Sequence, residues 1–445
     1  MHALCMMVVV YRGTLVHCVQ SERIEVLRDH LIGFNEQQNG EIVFVEPACK
    51  ADELAQEHGF SSDSVTVLTE SQFLLPGLVD SHTHPDHYLI AGTGYDKQLL
   101  EWVNDYIVPL EAKFKDVQLA KDVYRKAVRR SLLHGTTTAS YFATIHLEST
   151  KELCRIVDCF GQRALIGKIN IDVLSPDYTE EIQASIDDTR KFIKFVQEMQ
   201  NPLIQAVLLP AALFACSPKL LKMLSQIAKE HSLHIHSHIC EQKASIQQSL
   251  ELHPEYNACS TAFNSYGLLT AKTYMAHCVY LEESDMQLFK QKGVGVVHCP
   301  NSNLCLRSGL LDARKMLDMG LKIGLGTDVS GGYSLSVLDA LRKSIDVSKA
   351  LSFSKQDDYR PITHHEALYM ATLGGAKVLS LDNKIGNFVV GKEFDALLID
   401  VSPPEATFDT FQWDSFDDIV MKFLYLGDDR NILKRFVAGK ELLTD

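Results

Sequence analysis

What this chain lacks narrows it at once. No run of about 18 apolar residues occurs in it, so no membrane-spanning helix and no membrane partner are expected. It has no basic excess: 43 Lys and Arg stand against 57 Asp and Glu, a formal net charge of −14. A phosphate backbone is gripped by a basic surface, so nucleic acid is not an expected partner. A free nucleobase carries no phosphate and stays open. The 11 cysteines form no Cys-x-x-Cys pair. An odd, scattered set reads as reduced thiols of an intracellular protein rather than a disulfide framework. Residues 1–10 are apolar but short and without a basic flank, so no signal peptide is expected. There is no repeat or low-complexity tract.

What is present points to a large α/β architecture. At 445 residues and 46% hydrophobic content the chain can fill a full core, as two or three domains or as one barrel with an accessory. Residues 7–20, 41–48 and 65–75 are rich in β-formers, with turn residues between them. After Pro76-Gly77 short apolar runs alternate with helical patterns. The strand candidates are 77–81, 136–140, 163–169, 204–209, 234–238, 273–277, 295–298 and 323–327; helical patterns include 121–133, 219–231 and 283–292. Eight such units predict a (β/α)8 TIM-type barrel. No Gly-x-Gly-x-x-Gly follows the first strand, which disfavours a doubly wound sheet. Beyond about residue 380 the texture is β again, with strands at 396–400 and 432–438. The expected organisation is a barrel over 76–380 and one small β-domain assembled from 1–75 and 381–445.

The chemistry sits where these strands end. Residues i and i+2 of a strand share a side, so His82 and His84 aim two imidazoles at one point. His238 ends the fifth strand candidate, His277 the sixth, and Asp328 follows the eighth. Strand C-termini converge on one face of such a barrel. That mouth could gather His82, His84, His238 and Asp328 around one divalent ion. Nitrogen and oxygen ligands with an open position suit Zn²⁺, with iron as a substitute. A lone His-x-His is often only a surface pair; four such elements in order are a stronger signal.

Glu241 lies three residues past His238. It reads either as a first-turn helix carboxylate or as a proton shuttle over a substrate. His277 and Asp328 would orient and deprotonate a water. The fourth strand candidate offers no lysine for a bridging carbamate, so one ion is expected rather than two. His146-Leu147-Glu148 fits half of another zinc motif, but no Pro-Cys-x-x-Cys completes it. Cys240, Cys278 and Cys299 read as packing residues, and His364 and His365 as ordinary residues of a helix start.

At this point the chain resembles the amidohydrolase superfamily, and within it the branch of eukaryotic guanine deaminases. The resemblance runs from about residue 75 to 430. It is carried by Pro76-Gly77-Leu78-Val79-Asp80-Ser81-His82-Thr83-His84, by Leu99-Leu100-Glu101-Trp102 and by Ser237-His238-Ile239-Cys240-Glu241. It continues in His298-Cys299-Pro300-Asn301-Ser302-Asn303-Leu304, Gly324-Leu325-Gly326-Thr327-Asp328-Val329-Ser330-Gly331-Gly332 and Phe423-Leu424-Tyr425-Leu426-Gly427-Asp428-Asp429-Arg430. The resemblance implies a barrel with a composite β-sandwich, one zinc per subunit, and a homodimer in the cytosol. It implies hydrolysis of guanine to xanthine and ammonia. An activated water would attack the amino-bearing ring carbon. Glu241 would protonate the adjacent ring nitrogen, His277 would stabilise the developing oxyanion or relay a proton, and Asp328 would carry the water's proton to the leaving ammonia.

The departures concern substrate contacts. Where the branch carries a glutamine three residues after the second metal histidine, this chain has His87. Where it carries Thr-Pro-Arg-Phe, this chain has Leu209-Pro210-Ala211-Ala212. The expected substrate-facing set is therefore His87, Trp102, Ala211 and Ala212, with Phe214 near enough to refill the wall. Another aminated heterocycle, such as a pterin or substituted purine, is the alternative substrate. A ring-amide or halide hydrolase and a non-catalytic metal-binding scaffold are the remaining alternatives.

Overall fold

A computed structural model describes residues 8–175, 178–356 and 358–442. Most of the apolar 1–10 stretch lies outside the described residues. The chain opens with β1 (Val8–Gln20), β2 (Arg23–Asn35), β3 (Glu41–Pro47), β4 (Thr66–Val67) and β5 (Gln72–Pro76). β2 is absent from the sequence reading, although Leu31-Ile32-Gly33-Phe34 follows an antiparallel partner in β1 residue by residue. The barrel strands are β6 (Leu78–Thr83), β7 (Thr136–Phe142), β8 (Arg163–Gly167), β9 (Ile169–Asn170), β10 (Ile204–Pro210), β11 (His234–Ile239), β12 (Thr273–His277), β13 (Gly295–His298) and β14 (Lys322–Leu325). The last strands are β15 (Ala396–Asp400), β16 (Ile432–Val437) and β17 (Lys440–Glu441).

Strands β6, β7, β8, β10, β11, β12, β13 and β14 pair in parallel in that order, with β9 added beside β10. Their residues are almost all buried, because helices cover the outside and side chains fill the inside. The ring closes at its mouth through Asp328 N–H to His82 O at 2.9 Å and His84 N–H to Val329 O at 3.1 Å. The covering helices begin where the caps direct. Asp116 accepts from Gln118 N and Leu119 N to start Val117–Leu133, and Ser217 with Pro218 starts Pro218–His231. Two strand readings are corrected. The run 163–169 is broken at Lys168, whose ammonium turns to Glu180 at 2.6 Å. The eighth strand stops at Leu325, since Gly326 passes Cys299, Val297 and His82 too closely for any side chain, and Thr327 leaves the ladder to donate to Asp80.

Both chain ends share the second sheet, ordered β17-β16-β15-β5-β1-β2-β3. β15 runs antiparallel to β5, with Leu397 opposite Leu75. Phe34 of β2 stacks on Phe394 with centroids 4.0 Å apart, and Phe394 meets Phe436 of β16 at 5.3 Å. β2 and β16 lie several strands apart in the sheet, so this aromatic core requires the sheet to curl over itself. The architecture is thus the expected barrel with a small β-sandwich formed by both ends.

Arg163 at the base of β8 clamps the two parts. It is 2% exposed and donates from Nε and Nη2 to both oxygens of Asp395 at 2.9 Å, and from Nη2 to Glu393 at 2.6 Å. Arg163→Met is expected to leave these carboxylates buried without their cation and to lower unfolding stability by about 3–5 kcal/mol. Urea unfolding of the variant beside the parent chain measures it.

Candidate active site

The candidate site lies at the C-terminal mouth of the barrel. His82 is near the end of β6, His238 near the end of β11, and His277 is the last residue of β12. Glu241 and Asp328 lie two and three residues beyond their strands. The backbone is strained at these positions: Cys240, His277, Cys278 and Asp328 all have φ between +46° and +71°. Left-handed non-glycine residues cost free energy and gather at functional sites. Here they turn the chain so that side chains lean into the mouth rather than along the wall.

The side chains converge. His82 Nε2 stands 3.0 Å from Asp328 Oδ1, and His84 Nε2 3.5 Å from the same oxygen. His277 Nε2 is 3.7 Å from Asp328 Oδ2 and 3.7 Å from Glu241 Oε2. Ligand atoms of His82, His238, His277 and Asp328 all lie within 4.8 Å of one another. The imidazoles are held in tautomer by neighbours. His238 Nδ1–H donates to Ala211 O at 2.8 Å, and His277 Nδ1–H to Asn303 Oδ1 at 2.9 Å. Each leaves its Nε2 towards the centre.

Charge is arranged to match. Burial, reinforced by the surrounding imidazoles, lowers His82 and His84 well below the ordinary range and His238 to about 4. All three are therefore neutral, the form that donates a lone pair to a metal. His82 Nε2, which faces Asp328, is buried yet has no hydrogen-bond partner. A buried nitrogen without a partner is costly, and a cation in the mouth would supply one. The donor set fits a divalent metal ion. Burial raises Glu241, against the opposing effect of His277. Ser308 Oγ donates to its Oε1 at 3.1 Å.

Above the mouth is a cavity. Leu99, Trp102, Val108, Phe142, Ile169, Tyr178 and Phe214 form its apolar walls; His84, His87, His238, Glu241, His277 and Asp328 form its polar end. Ala211 and Ala212 line one edge. No arginine or lysine does so among the described residues. Phe214, the residue suggested as a replacement wall, does face the cavity.

His87 is held by groups that carried no signal in sequence. Its Nε2–H donates to Glu111 Oε1 at 2.7 Å and lies 3.2 Å from Asp86 Oδ2. Burial alone would lower His87, but Asp86 and then Glu111 outweigh it and raise it. Burial pushes Asp86 up to about 7. His84, His87 and Glu111 also form a compact donor group. The two rings stack 4.3 Å apart at 4°, so their in-plane lone pairs run side by side and do not meet at one point. This geometry suits an ion-paired imidazole better than a second metal.

Other sequence candidates have quieter places. Burial pushes the thiols of Cys278 and Cys299 well up, as expected of packing residues. His146 precedes the helix Leu147–Phe160 and reaches Glu111 O at 3.1 Å. His364 begins the short helix His364–Tyr369. Asn303 and Ser308 orient His277 and Glu241 without having been singled out, although Asn303 belongs to the His298–Leu304 run.

Comparison with known proteins places this geometry in company. The amidohydrolase family model matches residues 73–442. The guanine deaminase of Mus musculus is 43% identical over 440 residues, covering 98% of this chain and 96% of that protein. The guanine deaminase of Homo sapiens is 42% identical over the same length, with the same coverage. Among solved structures, guanine deaminase from C. acetobutylicum with guanine bound in its active site superposes with a TM-score of 0.89 at 30% identity. That match covers 98% of this chain and 100% of the other.

Proposed function

This chain belongs to the amidohydrolase family, and on that premise we propose that it hydrolyses guanine to xanthine and ammonia with one zinc ion held by His82, His84, His238 and Asp328. The observation that carries the reading is the buried Nε2 of His82, without a hydrogen-bond partner and facing Asp328, at the polar end of a largely apolar cavity. Three neutral imidazoles and one carboxylate suit zinc, with iron as the substitute. A divalent ion held there supplies Lewis acidity and lowers the pKa of a water towards about 7.

The side chains supply the rest. Ala211 O and Asn303 hold His238 and His277 in fixed tautomers. Asp328 takes a proton from the attacking water. Glu241, when protonated, gives its proton to the ring nitrogen next to the amino-bearing carbon, a role that its upward shift on burial suits. His277, whose Nε2 lies 3.7 Å from both Glu241 and Asp328, accepts from the attacking water and, on taking up a proton there, stabilises the oxygen that gains charge. Asp328 then returns its proton to the leaving ammonia, and the hydroxyl left on the ring carbon gives its proton back to Glu241, so guanine and one water become xanthine and one ammonia. His84 is assigned to the ion because it shares a strand side with His82, and His277 to the protons because its Nε2 lies 3.7 Å from both Glu241 and Asp328.

The barrel is assigned to residues 76–380 and the composite β-domain to 1–75 and 381–445. No helix among the described residues is long and apolar enough to cross a membrane. The assembly is assigned as a homodimer in the cytosol, in keeping with the resemblance and the unpaired cysteines. Zinc-loaded protein should release ammonia from guanine and shift its ultraviolet spectrum to that of xanthine. No turnover above a Glu241→Gln control would end the proposal.

One observation favours a wider substrate range. The cavity edge at Ala211 and Ala212 carries no cation and only methyl side chains at those two positions, so a pterin or substituted purine gains room that guanine does not use. If so, Ala211→Arg with Ala212→Phe should raise kcat/KM for guanine by about 10- to 100-fold, the size of one charged hydrogen bond, and lower it for the larger rings. A substrate panel in which the unaltered chain clearly prefers guanine counts against this second reading.

A further inference from the structure

Below the mouth, inside the barrel, a line of polar side chains starts at His82. His82 Nδ1 stands 3.0 Å from His236 Nε2. His236 Nδ1 stands 3.3 Å from Ser140 Oγ, and Ser140 Oγ 2.8 Å from the Tyr274 hydroxyl. His236 is on β11, Ser140 on β7 and Tyr274 on β12. All three are fully buried. Phe142 packs across them, its ring perpendicular to His236 at 5.3 Å. Barrel interiors are usually filled by branched apolar side chains, and buried polar groups are costly unless paired. None of these three has a part in the proposed reaction.

Counting protons gives them one. Only one proton fits between the two facing imidazole nitrogens. If it belongs to His82, its Nδ1–H donates to His236, and the Nε2 of a neutral His82 is bare and free to ligate. If it belongs to His236, a neutral His82 must carry its own proton on Nε2, the atom that faces Asp328, and cannot ligate. The ligating arrangement therefore requires His236 to hold its proton on Nδ1 and donate to Ser140, whose hydroxyl donates onward to the Tyr274 oxygen. Histidine, serine and tyrosine each both donate and accept, so the line can take either direction.

We infer that His236 is a positioning residue, and that the His236–Ser140–Tyr274 line sets the tautomer and ring orientation in which His82 holds the metal. Outer partners of this kind are worth about 10- to 100-fold in metal affinity. The inference rests on the metal reading above and is tested separately from turnover.

The test is chelator competition for zinc on the full chain, with thermal unfolding of the zinc-free forms as the folding control. His236→Leu keeps bulk but removes the acceptor, and should weaken zinc by about 10- to 100-fold. His236→Gln offers a carbonyl to His82 and an N–H to Ser140, and should stay within a few fold of the parent. Ser140→Ala should fall between them. His236→Leu binding zinc as the parent does would overturn the inference, as would His236→Gln losing as much as His236→Leu, which marks a packing role. Should His236→Leu fail to fold, Ser140→Ala with parental zinc affinity overturns it instead. A parent chain that binds no zinc defeats the metal reading itself, a result distinct from all of these.

Discussion

Glu241→Gln should lower the turnover of guanine by about 10²- to 10⁴-fold, the usual worth of a positioned proton donor, with KM and zinc content nearly unchanged. Glutamine keeps the shape of the side chain and can still accept from Ser308, which donates to Oε1 at 3.1 Å. It cannot release a proton. Burial raises the pKa of Glu241, the direction a proton donor needs. A loss in kcat with KM retained is the mark of an interaction made only in the transition state. Steady-state ammonia release beside metal analysis reads both quantities. Parental kcat in a zinc-replete variant would remove Glu241 from the mechanism.

The second large effect concerns the ligands. His238→Ala should weaken zinc by more than about 100-fold, beyond what loss of an outer partner costs, and excess zinc should not restore turnover. His238 is neutral, its pKa held down to about 4 by burial, and its ring is pinned by Ala211 O. Alanine takes away a ligand that needs no reorganisation. His277→Ala gives the contrast: it should lose turnover and keep zinc. Both follow from chelator competition and an ammonia assay on the two variants. The opposite outcome, zinc lost from His277→Ala and kept in His84→Ala, would exchange the two histidines in the ligand set. His277 lies close enough to His82, His238 and Asp328 for that exchange to be a real alternative.

Much of the barrel was legible because its strands are short apolar runs stopped by polar residues. The runs 273–277 and 295–298 match β12 and β13 end for end. Legibility failed where a long-range contact overrode the local pattern. Lys168 interrupts the third strand to meet Glu180, and Thr327 ends the eighth early to meet Asp80. β2 carries no clear strand pattern because Arg28, Asp29 and His30 stand in sequence, and only its pairing with β1 makes it a strand. The residues of the mouth could be read because strand ends converge. Asp86, Glu111, Ser308 and His236 could not. No spacing links Glu111 to His87; the helix Val108–Glu111 brings it there. His236 stood beside His238 in plain view, but a histidine on an inner strand position looks the same whether it fills space or holds a neighbour.

The pairing of β5 with β15 has a consequence during synthesis. To the sheet, the whole barrel is one very long loop between two adjacent strands. Closure entropy grows only slowly with loop length, so the insertion is thermodynamically mild. Its timing is not. As the chain leaves the ribosome, β5 has β1 beside it at once and must wait for β15 until every barrel strand has emerged. Domains generally fold as units during synthesis, and an unpaired edge is a template for wrong pairing. β5 is short, five residues ending in Pro76, which keeps that exposed edge small for the interval in which it stands open.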